Sequence, residues 1–164
     1  MIHDSNMGII LNSDELEKLS KLKKPGQILV LTGGSFDILH AGHLEFLKRA
    51  KKLGGALFVL LESDEKIKKL KGENRPVNSQ IDRAAILSNL PMVSGVIMLF
   101  GLKSDKDYEI LVKTLQPDII ATSGSDQVFE WEKRLEEEGI LRVVKVMDRK
   151  GNHSTTDLVN RLKP

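Results

Sequence analysis

Short runs of apolar residues alternate along the chain with longer stretches in which apolar residues recur at helical spacing. The runs are continuously apolar, as expected for parallel strands that helices cover on both faces. The predicted strands are Gln27–Thr32, Ala56–Leu61, Gly95–Phe100, Asp118–Thr122 and Leu141–Met147. This alternation predicts an α/β fold, a Rossmann-like doubly wound five-stranded parallel sheet in a single domain.

The stretches of helical period lie between these strands. They predict helices over His43–Leu53, from Asp64, and over Ser79–Leu90, Lys106–Leu115 and Gln127–Glu138. Asn78 is placed to cap the helix that follows it. Asn12 and Glu15 have the spacing of a capping box, which predicts a further helix before the first strand. We therefore expect residues 1–24 to form a helical extension packed on a domain of residues 25–164.

Composition and charge narrow the range of functions. The 164 residues are 40% hydrophobic and 29% charged, which is typical of one globular domain. The net charge is +2 and the basic residues are spread along the chain, so neither nucleic acid nor an anionic membrane is indicated as a partner. The absence of cysteine excludes disulfides, thiolate metal sites and a cysteine nucleophile. Without an apolar stretch of about 20 residues or a signal-like N-terminus, the chain is expected to be cytoplasmic.

The first predicted strand runs directly into the sequence GGSFDILHAGH and then into a helix. Gly33 and Gly34 allow close approach of a ligand to the backbone, and a helix N-terminus offers free N–H groups and a positive dipole end. His40 and His43 fall on one side of the first helical turn, with Gly42 leaving room between them. These features favour a phosphate site. The alternative is that one histidine caps the helix while the other packs.

A second loop, residues 63–77, follows the second predicted strand and is rich in Lys and Arg. Such a run usually forms a solvated face. A third loop contains Arg149 and leads into Ser154, Thr155 and Thr156, where Ser154 is placed to cap a terminal helix. Helix-terminal N–H groups at this position also suit phosphate.

The sequence GSFDILHAGH resembles the nucleotidyltransferase superfamily that is marked by an H-x-G-H loop. From about Ile9 to Leu162 the chain is similar to the adenylyltransferase domain of bacterial ADP-heptose synthases, through GGSFDILHAGH, LKGENRPVN, DRAAIL and HSTTDLVNRL. This resemblance implies transfer of AMP from ATP to a sugar 1-phosphate, normally D-glycero-β-D-manno-heptose 1-phosphate, by a freestanding enzyme. The implied partners are ATP with Mg²⁺ and a small phosphorylated acceptor, with a homodimer as the assembly to test.

The resemblance also assigns roles to residues. Those implied in catalysis are His40, His43, Lys71 and Arg149. Those implied in nucleotide binding are Gly33, Gly34, Ser35, Phe36, His40, Gly42, His43, Ser154, Thr155 and Thr156. Those implied in acceptor binding are Asp37, Lys68, Lys71, Arg75 and Asp126. No protein metal site is expected, because Mg²⁺ prefers substrate phosphates and water to a cage of protein ligands.

Two segments depart from the family pattern and leave other acceptors open. Gly33–Ser35 stands where the family commonly has Asn-Gly-Cys, and Ser123–Asp126 stands where it has Lys-Gly-Gly-Asp. The pair Asp126–Gln127 resembles archaeal FAD synthases and some cytidylyltransferases. The alternatives are therefore a cytidylyltransferase acting on glycerol 3-phosphate, an FAD synthase acting on FMN, and a non-catalytic nucleotide-binding module. A Rossmann dehydrogenase is disfavoured, since G-x-G-x-x-G is missing after the first strand.

Overall fold

A computed structural model of the chain describes residues 7–124 and 129–148. The described strands are β1 (Ile9–Asn12), β2 (Leu29–Gly34), β3 (Ala56–Leu61), β4 (Gly95–Met98), β5 (Ile119–Ser123) and β6 (Arg142–Met147). They form one sheet in the order β1-β4-β3-β2-β5-β6, and each of these strand pairs is parallel. The predicted parallel α/β architecture is confirmed.

The helices connect successive strands, as the sequence predicted. They are α1 (Leu16–Leu19), α2 (Ala41–Lys51), α3 (Asp64–Lys71), α4 (Gln80–Ser88), α5 (Asp105–Leu115) and α6 (Glu130–Glu137). Helix α2 begins two residues before the predicted start, because His40 is its N-cap. The terminal helix predicted from Ser154 lies outside the described residues.

Helices cover both faces of the sheet, which divides the apolar core into two layers. Successive strand residues point to opposite faces. Leu29 and Leu31 of β2 accordingly pack against residues of α1, α5 and α6, whereas Val30 between them packs against residues of α2 and α4. Packing on both faces explains why β3 is apolar at every position.

Among residues 7–124 and 129–148 the sheet has six strands, not the five predicted. The additional strand β1 pairs with β4 at the edge of the sheet and lies in the segment that was expected to form a helical extension. It is four residues long and its Ile9 and Ile10 are exposed, so its pattern is too short and too poorly buried to indicate a strand. Leu19 of α1, by contrast, is fully buried in the core.

Candidate functional site

Strand β2 lies where the order of the sheet reverses. From β2 the chain continues to β3 and β4 on one side, while β5 and β6 lie on the other side. An open cavity of about 530 Å³ lies at the carboxyl end of β2. Residues 33–36 and 40–43 line it, together with the following turns of α2 and the ends of β5 and β6. Parallel sheets bind ligands at such switch points, and the volume suits a small molecule.

The loop of residues 33–43, here called the glycine–histidine loop, has a shape that requires glycine at two positions. A Cβ atom at Gly34 would lie 2.9 Å from the ring of Phe36, and one at Gly42 would lie 2.9 Å from the ring of His40. Phe36 itself has a φ of 42°, in the left-handed region that non-glycine residues rarely adopt. The glycines therefore make room for the aromatic and imidazole rings that surround the cavity.

The two histidines of this loop are stacked at the start of α2, with ring centroids 3.9 Å apart. The Gly42 amide donates a hydrogen bond to Nδ1 of His40, at 3.1 Å, so His40 caps the helix with its side chain. This bond places the proton of a neutral His40 on Nε2, where it can be donated to a ligand. The alternative interpretation, in which one histidine caps the helix, is thus correct for His40. It does not displace the phosphate interpretation, because both histidines also line the cavity.

The lysines predicted in the second loop have different surroundings. Lys71, the last residue of α3, donates a hydrogen bond from Nζ to Oγ of Ser35 at 2.9 Å. It therefore reaches the glycine–histidine loop at the edge of the cavity. Lys68 forms an exposed ion pair with Glu73 instead, at 2.6 Å. The structure brings Lys71 to the candidate site and leaves Lys68 on the surface of α3.

The structure pairs two residues that were predicted to bind the acceptor, Asp37 and Arg75, with each other. Nε of Arg75 lies 2.6 Å from a carboxylate oxygen of Asp37, and both side chains are buried. Asp37 also accepts hydrogen bonds from the backbone amides of Val77 and Asn78, at 2.7 and 3.0 Å. The pair connects the loop of residues 72–79, here called the Arg75 loop, to the glycine–histidine loop. Their contact with an acceptor stays a prediction.

Asn78 does not cap α4, contrary to the sequence-based expectation. Its side-chain amide donates to the backbone oxygen of Asp37 at 2.8 Å, and Ser79 is the N-cap residue of α4. Asp37 and Asn78 are 41 residues apart, so local capping preferences could not indicate this bond. The hydrogen bond from Asn78 to Asp37 is a further contact between the two loops.

Arg83 is a site residue that the sequence analysis missed. It lies on the buried face of α4, and its guanidinium donates to the backbone oxygens of Ser35 at 2.5 Å and Glu62 at 2.9 Å. It also binds a carboxylate oxygen of Asp64 at 2.6 Å. A charged residue on the apolar stripe of a helix was the available signal, since a buried charge requires partners. Arg83 holds together the ends of β2 and β3.

Several predicted site residues lie outside the described residues. These are Asp126, Arg149, Ser154, Thr155 and Thr156. Their predicted contacts with nucleotide and acceptor are therefore untested.

The described part of the cavity contains one carboxylate, that of Glu45. Nε of Arg49 lies 2.7 Å from it, and the hydrogen bond from Arg49 lowers the pKa of Glu45 below its ordinary value. Within residues 7–124 and 129–148 no group of three or more His, Asp or Glu side chains is placed to hold a metal ion. Across the same residues, none of the helices has the length and apolarity needed to cross a membrane.

Comparison with known proteins gives a consistent set of relatives. The sequence model of the cytidylyltransferase-like family matches residues 31–161. The bifunctional protein HldE of Campylobacter fetus subsp. fetus is 41% identical over 149 residues, which cover 90% of this chain and 31% of that protein. HldE of Nitratiruptor sp. is 39% identical over 155 residues, covering 94% and 32%. The chain thus spans about a third of the length of these relatives.

Solved structures agree with the fold. The lipopolysaccharide core biosynthesis protein of Thermoplasma volcanium superposes with a TM-score of 0.63 at 30% identity, covering 76% of this chain and 100% of that one. Pantothenate synthetase of Thermus thermophilus superposes with a TM-score of 0.61 at 11% identity, covering 88% and 63%. The second likeness concerns the fold alone.

Proposed function

Because the chain belongs to the cytidylyltransferase-like family of nucleotidyltransferases, we propose that it transfers AMP from ATP to a sugar 1-phosphate and releases pyrophosphate. The observation that supports this most is the glycine–histidine loop, which presents two imidazoles and a helix N-terminus to a cavity at the switch point of the sheet. These groups are suited to bind and stabilise phosphate oxygens.

We propose D-glycero-β-D-manno-heptose 1-phosphate as the acceptor. The support is the similarity to bifunctional HldE proteins over at least 90% of the chain, at 39–41% identity in the two relatives above. The relative from Thermoplasma volcanium, a lipopolysaccharide core biosynthesis protein, is consistent with a sugar substrate.

In the proposed reaction an oxygen of the acceptor phosphate attacks the α-phosphorus of ATP in line. A new P–O bond forms, the bond to the oxygen that bridges the α- and β-phosphates breaks, and pyrophosphate leaves with that oxygen. The attacking oxygen is already anionic, so the step needs no general base. Catalysis then depends on positioning and on stabilising the charge of the transition state.

Positioning and charge stabilisation are assigned to different residues. Nε2 of His40 donates to the α-phosphate, and His43 binds beside it. Lys71, held at Ser35, neutralises the acceptor phosphate. Arg149, Ser154, Thr155 and Thr156 are proposed to cover the triphosphate. Asp37 and Arg75 fix the two loops relative to each other, which their buried ion pair supports.

Mg²⁺ is proposed to reach the site with ATP. The donors along the described cavity are imidazoles, hydroxyls and backbone amides, and its carboxylate is engaged by Arg49, so these groups fit phosphate oxygens rather than a resident cation. When bound to the triphosphate, Mg²⁺ would neutralise charge on the leaving pyrophosphate. The homodimer stays a prediction, which light scattering of the purified chain would test.

The decisive experiment measures pyrophosphate release with ATP or CTP against a panel of acceptors. The panel contains sugar 1-phosphates, glycerol 3-phosphate and FMN, with reactions lacking acceptor as the control. We expect release only with acceptor, best with ATP and a sugar 1-phosphate, abolished by EDTA and restored by Mg²⁺. If glycerol 3-phosphate or FMN gives a kcat/KM about tenfold above that of every sugar 1-phosphate, about 1.4 kcal/mol in transition-state binding, the proposed acceptor is wrong. Release that does not depend on an acceptor would contradict the reaction itself.

A further inference from the structure

Three polar side chains at the carboxyl end of β3 have no role in the reaction described above. Glu62 directly follows β3, Lys66 lies in the first turns of α3, and Tyr108 comes from α5. They converge from three elements that are up to 46 residues apart in sequence. We refer to them as the Glu62 cluster.

The members of the Glu62 cluster hold one another in fixed positions. The Tyr108 hydroxyl lies 3.2 and 3.0 Å from the two oxygens of the Glu62 carboxylate, to which it donates its one hydrogen. Nζ of Lys66 lies 3.1 Å from the same carboxylate and 4.2 Å from the centre of the Tyr108 ring, and it also donates to the hydroxyl. Burial and the Glu62 carboxylate raise the pKa of Tyr108, so its hydroxyl stays a neutral donor. Groups fixed in this way lose little freedom when a ligand binds.

The Glu62 cluster remains accessible to a ligand. The side chains of Glu62 and Lys66 are 20% and 34% exposed. One carboxylate and one ammonium nearly cancel in charge, so the cluster does not suit a phosphate. The Glu62 carboxylate keeps free acceptor lone pairs and the Lys66 ammonium keeps an N–H donor beyond those given to Glu62 and Tyr108, and acceptors beside a donor are the combination that binds the hydroxyl groups of a polyol.

Its position relative to the candidate site is fixed by the backbone. The Glu62 amide donates to the oxygen of Gly34 at 3.1 Å. The guanidinium of Arg83 binds the backbone oxygens of Glu62 and Ser35 together. Ser35 is the residue that Lys71 contacts. The backbone of Glu62 therefore neighbours the point at which the acceptor phosphate is proposed to bind, and its side chain extends from there to Lys66 and Tyr108.

The in-line geometry gives the direction in which the acceptor extends. The cavity lies toward α2, β5 and β6, and β3 lies on the other side of β2. If the triphosphate fills the cavity with its pyrophosphate toward α2, β5 and β6, an acceptor that attacks from the opposite side extends from Ser35 toward β3. From this geometry we infer that Glu62, Lys66 and Tyr108 form the subsite that binds the hydroxyl groups of a polyhydroxylated acceptor. The inference rests on the proposed function and assigns it specificity residues.

The test compares Michaelis constants in single variants. In Glu62→Gln and Tyr108→Phe, which keep the size of the side chain, KM for the sugar 1-phosphate is expected to rise about tenfold while KM for ATP stays within about twofold. With ethyl phosphate, an acceptor without hydroxyl groups, the variants are expected to match the wild type. Glu109→Gln is the matched control. Glu109 lies on the same helix as Tyr108, is 16% exposed and pairs with Lys113 and Arg134 at 2.8 and 2.6 Å.

The outcomes separate this inference from the proposed function. An unchanged KM for the sugar 1-phosphate in both variants would overturn it, and so would an equal rise in both KM values, which indicates a structural tie between α3 and α5. Melting temperatures measured in parallel identify loss of folding, and kinetics are compared well below the lower one. If the wild type uses glycerol 3-phosphate or FMN and no sugar 1-phosphate, the proposed acceptor fails. The same variants then test the subsite on the hydroxyl groups of that acceptor, with the same expected rise.

Discussion

The glycine–histidine loop and the Arg75 loop meet at the carboxyl ends of the strands, but they use their polar residues in opposite ways. The first is a contiguous segment whose histidines face the cavity and whose shape depends on its own glycines. The second contains a cation, Arg75, that is buried against Asp37 of the first loop. One loop presents its histidines to the cavity, and the other uses its cation in a contact between the loops.

This difference shows that a basic residue predicted to bind an acceptor can also serve as a buried tie between two loops. Arg75 and Lys71 are four residues apart and both precede α4, yet Arg75 is buried and Lys71 is exposed at Ser35. Separating a buried ion pair leaves an uncompensated charge, so the pair holds the two loops together. The buried tie between the loops and the histidines that face the cavity can therefore be tested separately, the first by stability and the second by turnover.

The largest expected effect is on stability and concerns the buried pair. Asp37→Ala leaves the Arg75 guanidinium buried without its counter-charge and removes the acceptor of two backbone amides. We expect the free energy of unfolding, measured in urea, to fall by about 3–5 kcal/mol. Glu73→Ala, which removes the exposed pair with Lys68, is the control and should change it by less than about 1 kcal/mol. Equal effects of the two variants would show that burial of the Asp37 pair is unimportant.

The next effect is on turnover and concerns the glycine–histidine loop. His40→Asn keeps a side-chain acceptor for the N-cap but removes the imidazole donor, so we expect kcat to fall about 10²-fold or more. Its free energy of unfolding should stay within about 1 kcal/mol of the wild type. His40→Ala should lose the same turnover and also stability, because the cap is lost. Near-normal kcat in His40→Asn would leave His40 with a structural role alone.

A smaller effect is expected on acceptor affinity. Lys71→Met removes the ammonium beside Ser35 and should raise KM for the acceptor about tenfold, with a smaller change in KM for ATP, because a charge-assisted hydrogen bond to the acceptor phosphate is lost. Lys69→Met changes an exposed lysine of the same helix and serves as the control. Equal KM changes in the two variants would indicate general electrostatic attraction instead of a contact at Ser35.

The smallest effect concerns the amino ends of the strands, opposite to the cavity. There Asp118 accepts hydrogen bonds from Lys23 and the Leu29 amide, at 2.7 and 2.8 Å. Burial alone would raise the pKa of Asp118, but these two bonds lower it below its ordinary value of 3.8. A lowered folded-state pKa stabilises the fold above the unfolded-state pKa, and this contribution is lost as the pH falls through the folded-state pKa.

Asp118→Asn is therefore expected to lower the free energy of unfolding at pH 7 by less than about 1 kcal/mol, because the side chain is 37% exposed and solvent screens its charge. The difference from the wild type should shrink below about pH 4 in urea titrations. Because Asp118 lies at the amino ends of the strands, kcat should not change. A lower kcat would show that the amino ends of the strands are coupled to the cavity at their carboxyl ends.

The contiguous features of the site were predictable from the sequence. Strand β2, its two glycines and the start of α2 follow one another in the chain, so their local preferences already place the histidines at a helix N-terminus. Strand β1 was missed because a short exposed edge strand has little hydrophobic pattern. Arg83 was missed because the helical period that identified α4 treats every inward position as apolar. Three of its partners, Ser35, Glu62 and Asp64, lie 19 to 48 residues away.

The sequence by itself determined the parallel α/β fold, the position of the two histidines at a helix N-terminus and the family resemblance, because each depends on residues that are neighbours in the chain. The tertiary structure decided which cations reach the cavity. It buried Arg75 against Asp37, used Asn78 to tie two loops instead of capping a helix, and assembled Glu62, Lys66 and Tyr108 from three elements. The physical reason is that the environment of a charge is set by burial and by partners distant in sequence, which no local pattern specifies.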